Sequence, residues 1–133
     1  MKKKIINVSE PKLSNKTKEY VLDCIQTEWI SSSGSYLETF ENKWAKYCNK
    51  KYAVSVTSGT AALIVALKSL NLKSGDEVIM PSFTIISCAL AVIEAGGRPV
   101  LADCDLDTWC IQPNEIKKKI SNRTKAILIV HLF

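Results

Sequence analysis

Ala53-Val54-Ser55-Val56-Thr57-Ser58-Gly59-Thr60-Ala61-Ala62-Leu63 is the stretch around which the rest of the chain is arranged. Its first residues are apolar and β-prone, and they read as a short buried strand over Tyr52–Val56. Small residues follow, Thr57 to Thr60, and a helical pattern then runs to about Leu70. The first N–H groups of a helix have no internal acceptor, and the helix dipole is positive there. Ser58 and Thr60 add hydroxyls, and Gly59 lets an anion come close to the backbone. The turn reads as a phosphate cradle. The plainer alternative is an ordinary serine N-cap.

Size and composition bound what surrounds this turn. The chain has 133 residues, 47% of them hydrophobic, enough for a modest globular core. No apolar run reaches the length of a membrane span, and the Met1–Asn7 lead lacks the apolar stretch of a secretory signal. The net charge of +5 comes from scattered lysines, with clusters at Lys2–Lys4 and Lys117–Lys119. No aromatics are interleaved with them, so a solvated face is favoured over nucleic-acid binding. The five cysteines, Cys24, Cys48, Cys88, Cys104 and Cys110, form no CxxC pair, and the single histidine is His131. Zinc spacing is absent, and reduced, mostly buried thiols in a cytoplasmic protein are expected.

Upstream of the turn, residues 1–12 read as an extended lead-in. A helix capped by Ser14 runs to about Glu28. Trp29-Ile30-Ser31-Ser32-Ser33-Gly34-Ser35-Tyr36 breaks it, either as a pocket-lining loop or as a plain connection. A second helix from about Tyr36 to Cys48 carries Leu37, Phe40, Trp44 and Tyr47 on one face, read as core packing.

Downstream, Leu63, Ala66, Leu67 and Leu70 face inward from the third helix. Strands are expected at Glu77–Met80, ended by Pro81, at Pro99–Asp103 and at Thr124–Val130. A helix from about Ile85 to Ala95 is stopped by Gly96-Gly97, and a shorter one starts at Pro113. Asp103–Thr108 is an acidic turn better explained by local Asx bonding than by a cation. This alternation predicts an α/β fold, a mostly parallel sheet with flanking helices. Ligands of such sheets lie beyond the carboxyl ends of the strands. Ser58–Thr60, Ser82–Thr84, Asp103 and His131 all fall there. The last strand reaches Phe133 without a covering helix, which suggests the front part of something longer.

In order and spacing these motifs resemble the DegT/DnrJ-type nucleotide-sugar aminotransferases, in particular the perosamine-synthase-like branch, within the fold-type I pyridoxal-phosphate enzymes. The residues that carry the resemblance are Trp29–Gly34 with Glu38–Glu41, Ala53–Leu63, Gly75–Ile79, Pro81–Thr84, Asp103–Thr108, and Thr124–Ile127 leading to Val130–Leu132. The resemblance implies pyridoxal 5′-phosphate as cofactor, with its phosphate on Ser58, Gly59 and Thr60 and its ring covered by Ile85 or Phe83. It implies a substrate-side loop containing Trp29, Ser31, Ser32 and Gly34. It also implies two parts, residues 1–35 as an N-terminal segment and residues 36–133 as a partial cofactor-binding domain.

The partners implied are a nucleotide-linked sugar and glutamate, with a homo-oligomer or a complementary C-terminal half. Nucleic acid, membrane and metal are not expected. The family's covalent lysine and its carboxylate for the pyridine nitrogen follow the strand ending near His131, so the chain is expected to be inactive alone and to expose apolar sheet edges. Two other readings stand beside this one, a non-catalytic or split-enzyme subunit and a pyridoxal-phosphate-dependent sugar dehydratase.

Overall fold

The computed structural model describes residues 6–132. The Lys2–Lys4 cluster, the start of the lead-in and Phe133 lie outside the described residues. Two compact units are present, one ending at Ser55 and the other beginning at Val56.

In the first unit, α1 spans Asn15–Gln26 and α2 spans Ser35–Tyr47. Ser14 caps α1, its hydroxyl accepting the Thr17 N–H at 3.2 Å. The Tyr36 hydroxyl donates to Asp23 Oδ2 at 2.9 Å and so ties the start of α2 to α1. That bond to the carboxylate raises the Tyr36 pKa. The aromatic stripe of α2 is not the core predicted for it. Phe40, Trp44 and Tyr47 stack in sequence, with centroids 5.9 and 5.6 Å apart, on an exposed face. Helical periodicity sorts residues to one side but does not provide what covers that side. Only Ala45 of this helix is buried.

The expected strand at Tyr52–Val56 does not form. A strand requires a neighbour for its ladder. Here the Ser55 N–H and hydroxyl instead donate to Glu41 Oε1 at 2.8 and 2.7 Å. Those two bonds, the backbone one first, hold the Glu41 carboxyl below its ordinary range.

The second unit contains the sheet. Its elements are α3 (Gly59–Lys68), β1 (Glu77–Pro81), α4 (Ile86–Glu94), β2 (Arg98–Ala102), α5 (Pro113–Lys119) and β3 (Thr124–Ile127). The order is β2-β1-β3, with β1 parallel to both neighbours. All five residues of the central strand are buried, as a doubly covered parallel strand requires. Pro81 is its last residue, where the missing N–H matters least. The ladder continues past it, Ser82 N–H donating to Ala102 O at 2.9 Å. β3 is shorter than predicted, although Leu128 N–H still bonds Ile79 O at 2.8 Å.

The core joins Leu67 of α3, Val78 of β1 and Ala91 and Val92 of α4, with Leu63, Ile64, Leu72, Ala95, Ala126 and Leu128 around it. Fully buried aliphatic side chains such as Val78 and Ile79 contribute about 1.5–3 kcal/mol each. Ala66 and Leu70 are exposed rather than inward, because α3 turns Ile64 and Leu67 to the core. The cysteine expectation is also corrected, since only Cys88 is buried while Cys48 and Cys110 are exposed.

Glu77 enters this core as a charge. Its side chain is 3% exposed, and Oε1 accepts from Arg98 Nη2 at 3.0 Å and Arg123 Nε at 3.0 Å. Oε2 accepts from the Ser121 hydroxyl at 2.6 Å. One carboxylate thus joins the amino-terminal ends of all three strands. The α4 stop behaves as predicted: Gly96 has φ +87° and donates its N–H to Ile93 O. Gly96→Ala puts a Cβ into that left-handed conformation and is expected to cost about 1–2 kcal/mol. A urea titration showing no loss of stability would contradict this.

Candidate functional site

The cradle begins at Ser58, which has extended backbone and caps α3. Its hydroxyl accepts the Ala61 N–H at 3.2 Å, and its carbonyl accepts the Ala62 N–H at 3.0 Å. That leaves the N–H groups of Gly59 and Thr60 with no intrahelical acceptor, together with the Ser58 hydroxyl proton. A Cβ built on Gly59 meets no atom of the described residues beyond its chain neighbours and its own helix backbone within 4 Å. Ser58, Gly59 and Thr60 are all exposed. Two free amides, a hydroxyl and the positive end of a three-turn helix fit a phosphate monoester. Capping thus satisfies Ala61 and leaves the outer donors outside the cap bond.

At the carboxyl end of the sheet, Ser82 follows β1 and its hydroxyl donates to Asp103 Oδ1 at 3.4 Å, beyond the end of β2. Phe83 and Ile85 lie on the same loop, 42% and 56% exposed, and Ile85 is the N-cap of α4. Phe83 packs against Trp109, with ring centroids 5.0 Å apart and planes at 55°. These two rings, with His131 and Val130 from beyond β3, line a recess of about 90 Å³. Of the predicted grouping of Ser58–Thr60, Ser82–Thr84, Asp103 and His131 beyond strand ends, Ser82–Thr84, Asp103 and His131 do follow β1, β2 and β3, whereas among the described residues no strand precedes Ser58–Thr60.

The acidic turn is held as Asx bonding predicts. Asp105 Oδ1 accepts the N–H groups of Thr108 at 2.8 Å and Asp107 at 3.1 Å, and the Thr108 hydroxyl at 3.0 Å. Oδ2 accepts from Gln112 Nε2 at 2.9 Å. The Thr108 N–H, then its hydroxyl, lower the pKa of this carboxyl. Among the described residues no group of three or more His, Cys, Asp or Glu is placed to hold a metal. Nor is any described helix long and apolar enough to cross a membrane.

The predicted substrate-side loop lies in the first unit. Trp29 and Gly34 line a cavity of about 380 Å³ with Asp23, Thr27, Tyr36 and Glu38. Ser31 and Ser32 do not line it. The Ser31 hydroxyl accepts the Ser33 N–H at 3.3 Å. Sequence reasoning passed over Trp109, whose φ of +59° is unusual for an aromatic residue. The available signal was an aromatic residue directly after an Asp-x-x-Thr turn.

Residues 11–133 match the DegT/DnrJ/EryC1/StrS aminotransferase family. GDP-perosamine synthase of Escherichia coli O157:H7 is 45% identical over 130 residues, 98% of this chain and 36% of that protein. An aminotransferase structure from Psychrobacter cryohalolentis superposes with a TM-score of 0.84 at 32% identity, over 92% of this chain and 31% of its own. NtdA from Bacillus subtilis, solved with bound cofactor PMP, superposes at 0.80 with 37% identity, over 90% of this chain and 28% of its own. The chain spans about a third of the length of these relatives. A sequence match over nearly the whole chain and the shared fold agree: this chain belongs to the DegT/DnrJ/EryC1/StrS aminotransferase family.

Proposed function

We propose that this chain is the phosphate-holding portion of a pyridoxal-phosphate-dependent aminotransferase that moves an amino group from glutamate to a keto carbon of a nucleotide-linked deoxysugar, supplying surface polysaccharide synthesis. The observation that carries the reading is the open, donor-lined corner at Ser58, Gly59 and Thr60. When bound, the cofactor supplies an electron sink for the carbon that carries the amine. This chain's residues supply binding and orientation. Ser58 Oγ–H and the Gly59 and Thr60 N–H groups anchor the phosphate. Phe83 and Ile85 offer apolar cover for the ring. Trp29 and Gly34 face sugar nucleotide from their own unit, and Ser31 and Ser32 shape that loop.

The lysine that bonds the cofactor and the carboxylate for its ring nitrogen are not among these residues. Lys68 is paired with Glu94 at 3.0 Å, and Lys125, at the start of β3, approaches Asp76 at 3.9 Å. On this reading the 133 residues by themselves are expected to form no product. A chimera in which this chain replaces the matching third of the E. coli GDP-perosamine synthase tests the proposal. The chimera is expected to take up pyridoxal phosphate and form GDP-perosamine, while the chain alone forms none. A chimera that folds and takes up no cofactor would overturn the reading.

A further inference from the structure

Trp109 combines three properties that the core of the second unit does not require. Its backbone is left-handed, a strained conformation for a bulky residue. Such strain persists only where the surroundings over-determine it. Here Asp105 brackets the turn: its carboxylate takes the Asp107 and Thr108 donors. Its carbonyl accepts the Trp109 N–H at 2.9 Å, and its N–H donates to Cys110 O at 2.9 Å. Beyond this, Cys104 and Ile111 close the loop as an antiparallel bridge. Yet Trp109 so placed is 58% exposed, so the strain does not bury it. What the ring gains is the tilted contact with Phe83 across the recess that also holds His131.

We infer that Trp109 is a positioning residue that braces Phe83 and thereby fixes the Ser82–Ile85 loop, the loop that carries the ring-covering side chains. The Asp105 bracket holds Trp109, Trp109 holds Phe83, and Phe83 lies in the middle of the loop, two residues before Ile85. An aromatic pair of this geometry is worth about 0.5–1.5 kcal/mol. That is enough to separate an ordered loop from one open up to about tenfold more often. The loop's part in ring binding rests on the pyridoxal-phosphate reading above. The bracing itself does not.

The test uses the full chain and two variants. Trp109→Gly removes the ring and also relieves the left-handed strain, so its unfolding midpoint is expected to stay close to wild type. Trp109→Phe keeps an aromatic face. Amide hydrogen exchange at Ser82 and Cys88, whose N–H groups bond Ala102 O at 2.9 Å and Ile85 O at 3.1 Å at the two ends of the loop, is expected to quicken about fivefold to tenfold in Trp109→Gly, to recover in Trp109→Phe, and to stay unchanged at Val78 and Val92. Affinity for pyridoxal 5′-phosphate should fall by a similar factor in Trp109→Gly, while affinity for inorganic phosphate holds.

Unchanged exchange at Ser82 and Cys88 in Trp109→Gly, or a uniform rise throughout the unit, overturns the bracing role. A wild-type chain that binds pyridoxal phosphate no better than inorganic phosphate overturns the ring-binding extension and counts against the cofactor reading. The exchange result still decides the bracing role in that case. Should Trp109→Gly fail to fold, Phe83→Leu breaks the same contact and must quicken exchange at Ser82 and Cys88 for the inference to stand.

Discussion

Glu77→Ala is expected to lower the unfolding midpoint by roughly 10 °C, the largest effect of any single side chain outside the aliphatic core. The carboxylate is buried at the amino-terminal end of β1, held by Ser121, Arg123 and Arg98. Removing it leaves two guanidinium groups facing each other with nothing between them, and it unties β2 and β3 from β1 at one end. The pH dependence has a definite sign. The Ser121 hydroxyl first, then Arg123 and Arg98, lower the Glu77 pKa from its ordinary value of 4.5, against the opposing effect of burial. A carboxyl whose folded pKa lies below its unfolded pKa contributes stability that is complete above the unfolded value. That stability is lost as the pH falls through the folded one. Wild type should therefore lose its advantage over Glu77→Gln as the solution is acidified below about pH 4.5. Thermal unfolding of both proteins between neutral and acidic pH measures this. A constant difference across that range would show that the charge is not what holds the strands.

Gly59→Val is expected to abolish measurable binding of pyridoxal phosphate, a loss of at least about a hundredfold, with no loss of stability. The two halves of this expectation have separate causes. A Cβ on Gly59 meets nothing within 4 Å, so the fold has room for the side chain. Valine at the first helical turn is also no worse a helix former than glycine. The bulk added at Gly59 is expected to obstruct the close approach of an anion to the Gly59 and Thr60 amides. Calorimetric titration and a urea unfolding curve on the same sample separate affinity from stability. Retained affinity would place the phosphate elsewhere.

The parts of this fold that were legible in the sequence are those set by local chemistry. Ser14 and Ser58 cap their helices because a hydroxyl before an apolar periodic run has free N–H groups to accept from. Gly96 stops α4 because it alone tolerates the φ needed there. The Asp105 turn closes on residues two and three positions ahead. What local chemistry could not supply was the partner at a distance. Val54 and Val56 have strand propensity, but propensity brings no neighbouring strand, and Ser55 spends its N–H on Glu41. The α2 stripe has helical spacing, but spacing says nothing of what lies over Trp44. Glu77 meets arginines 21 and 46 residues away, which no periodicity encodes. Trp109 was missed because nothing in its own chemistry favours φ +59°. The bracket that imposes it is read from Asp105.

The central claim is that the cofactor's phosphate docks on the first turn of α3. Backbone amide chemical shifts of the isotope-labelled chain test it most directly, recorded while pyridoxal 5′-phosphate, and separately unphosphorylated pyridoxal, is added. The account predicts saturable shifts at the Gly59 and Thr60 amides with the phosphorylated compound, and none at those two amides with pyridoxal. Shifts confined to lysine-rich surface such as Lys117–Lys119, or equal responses to the two compounds at Gly59 and Thr60, would contradict it.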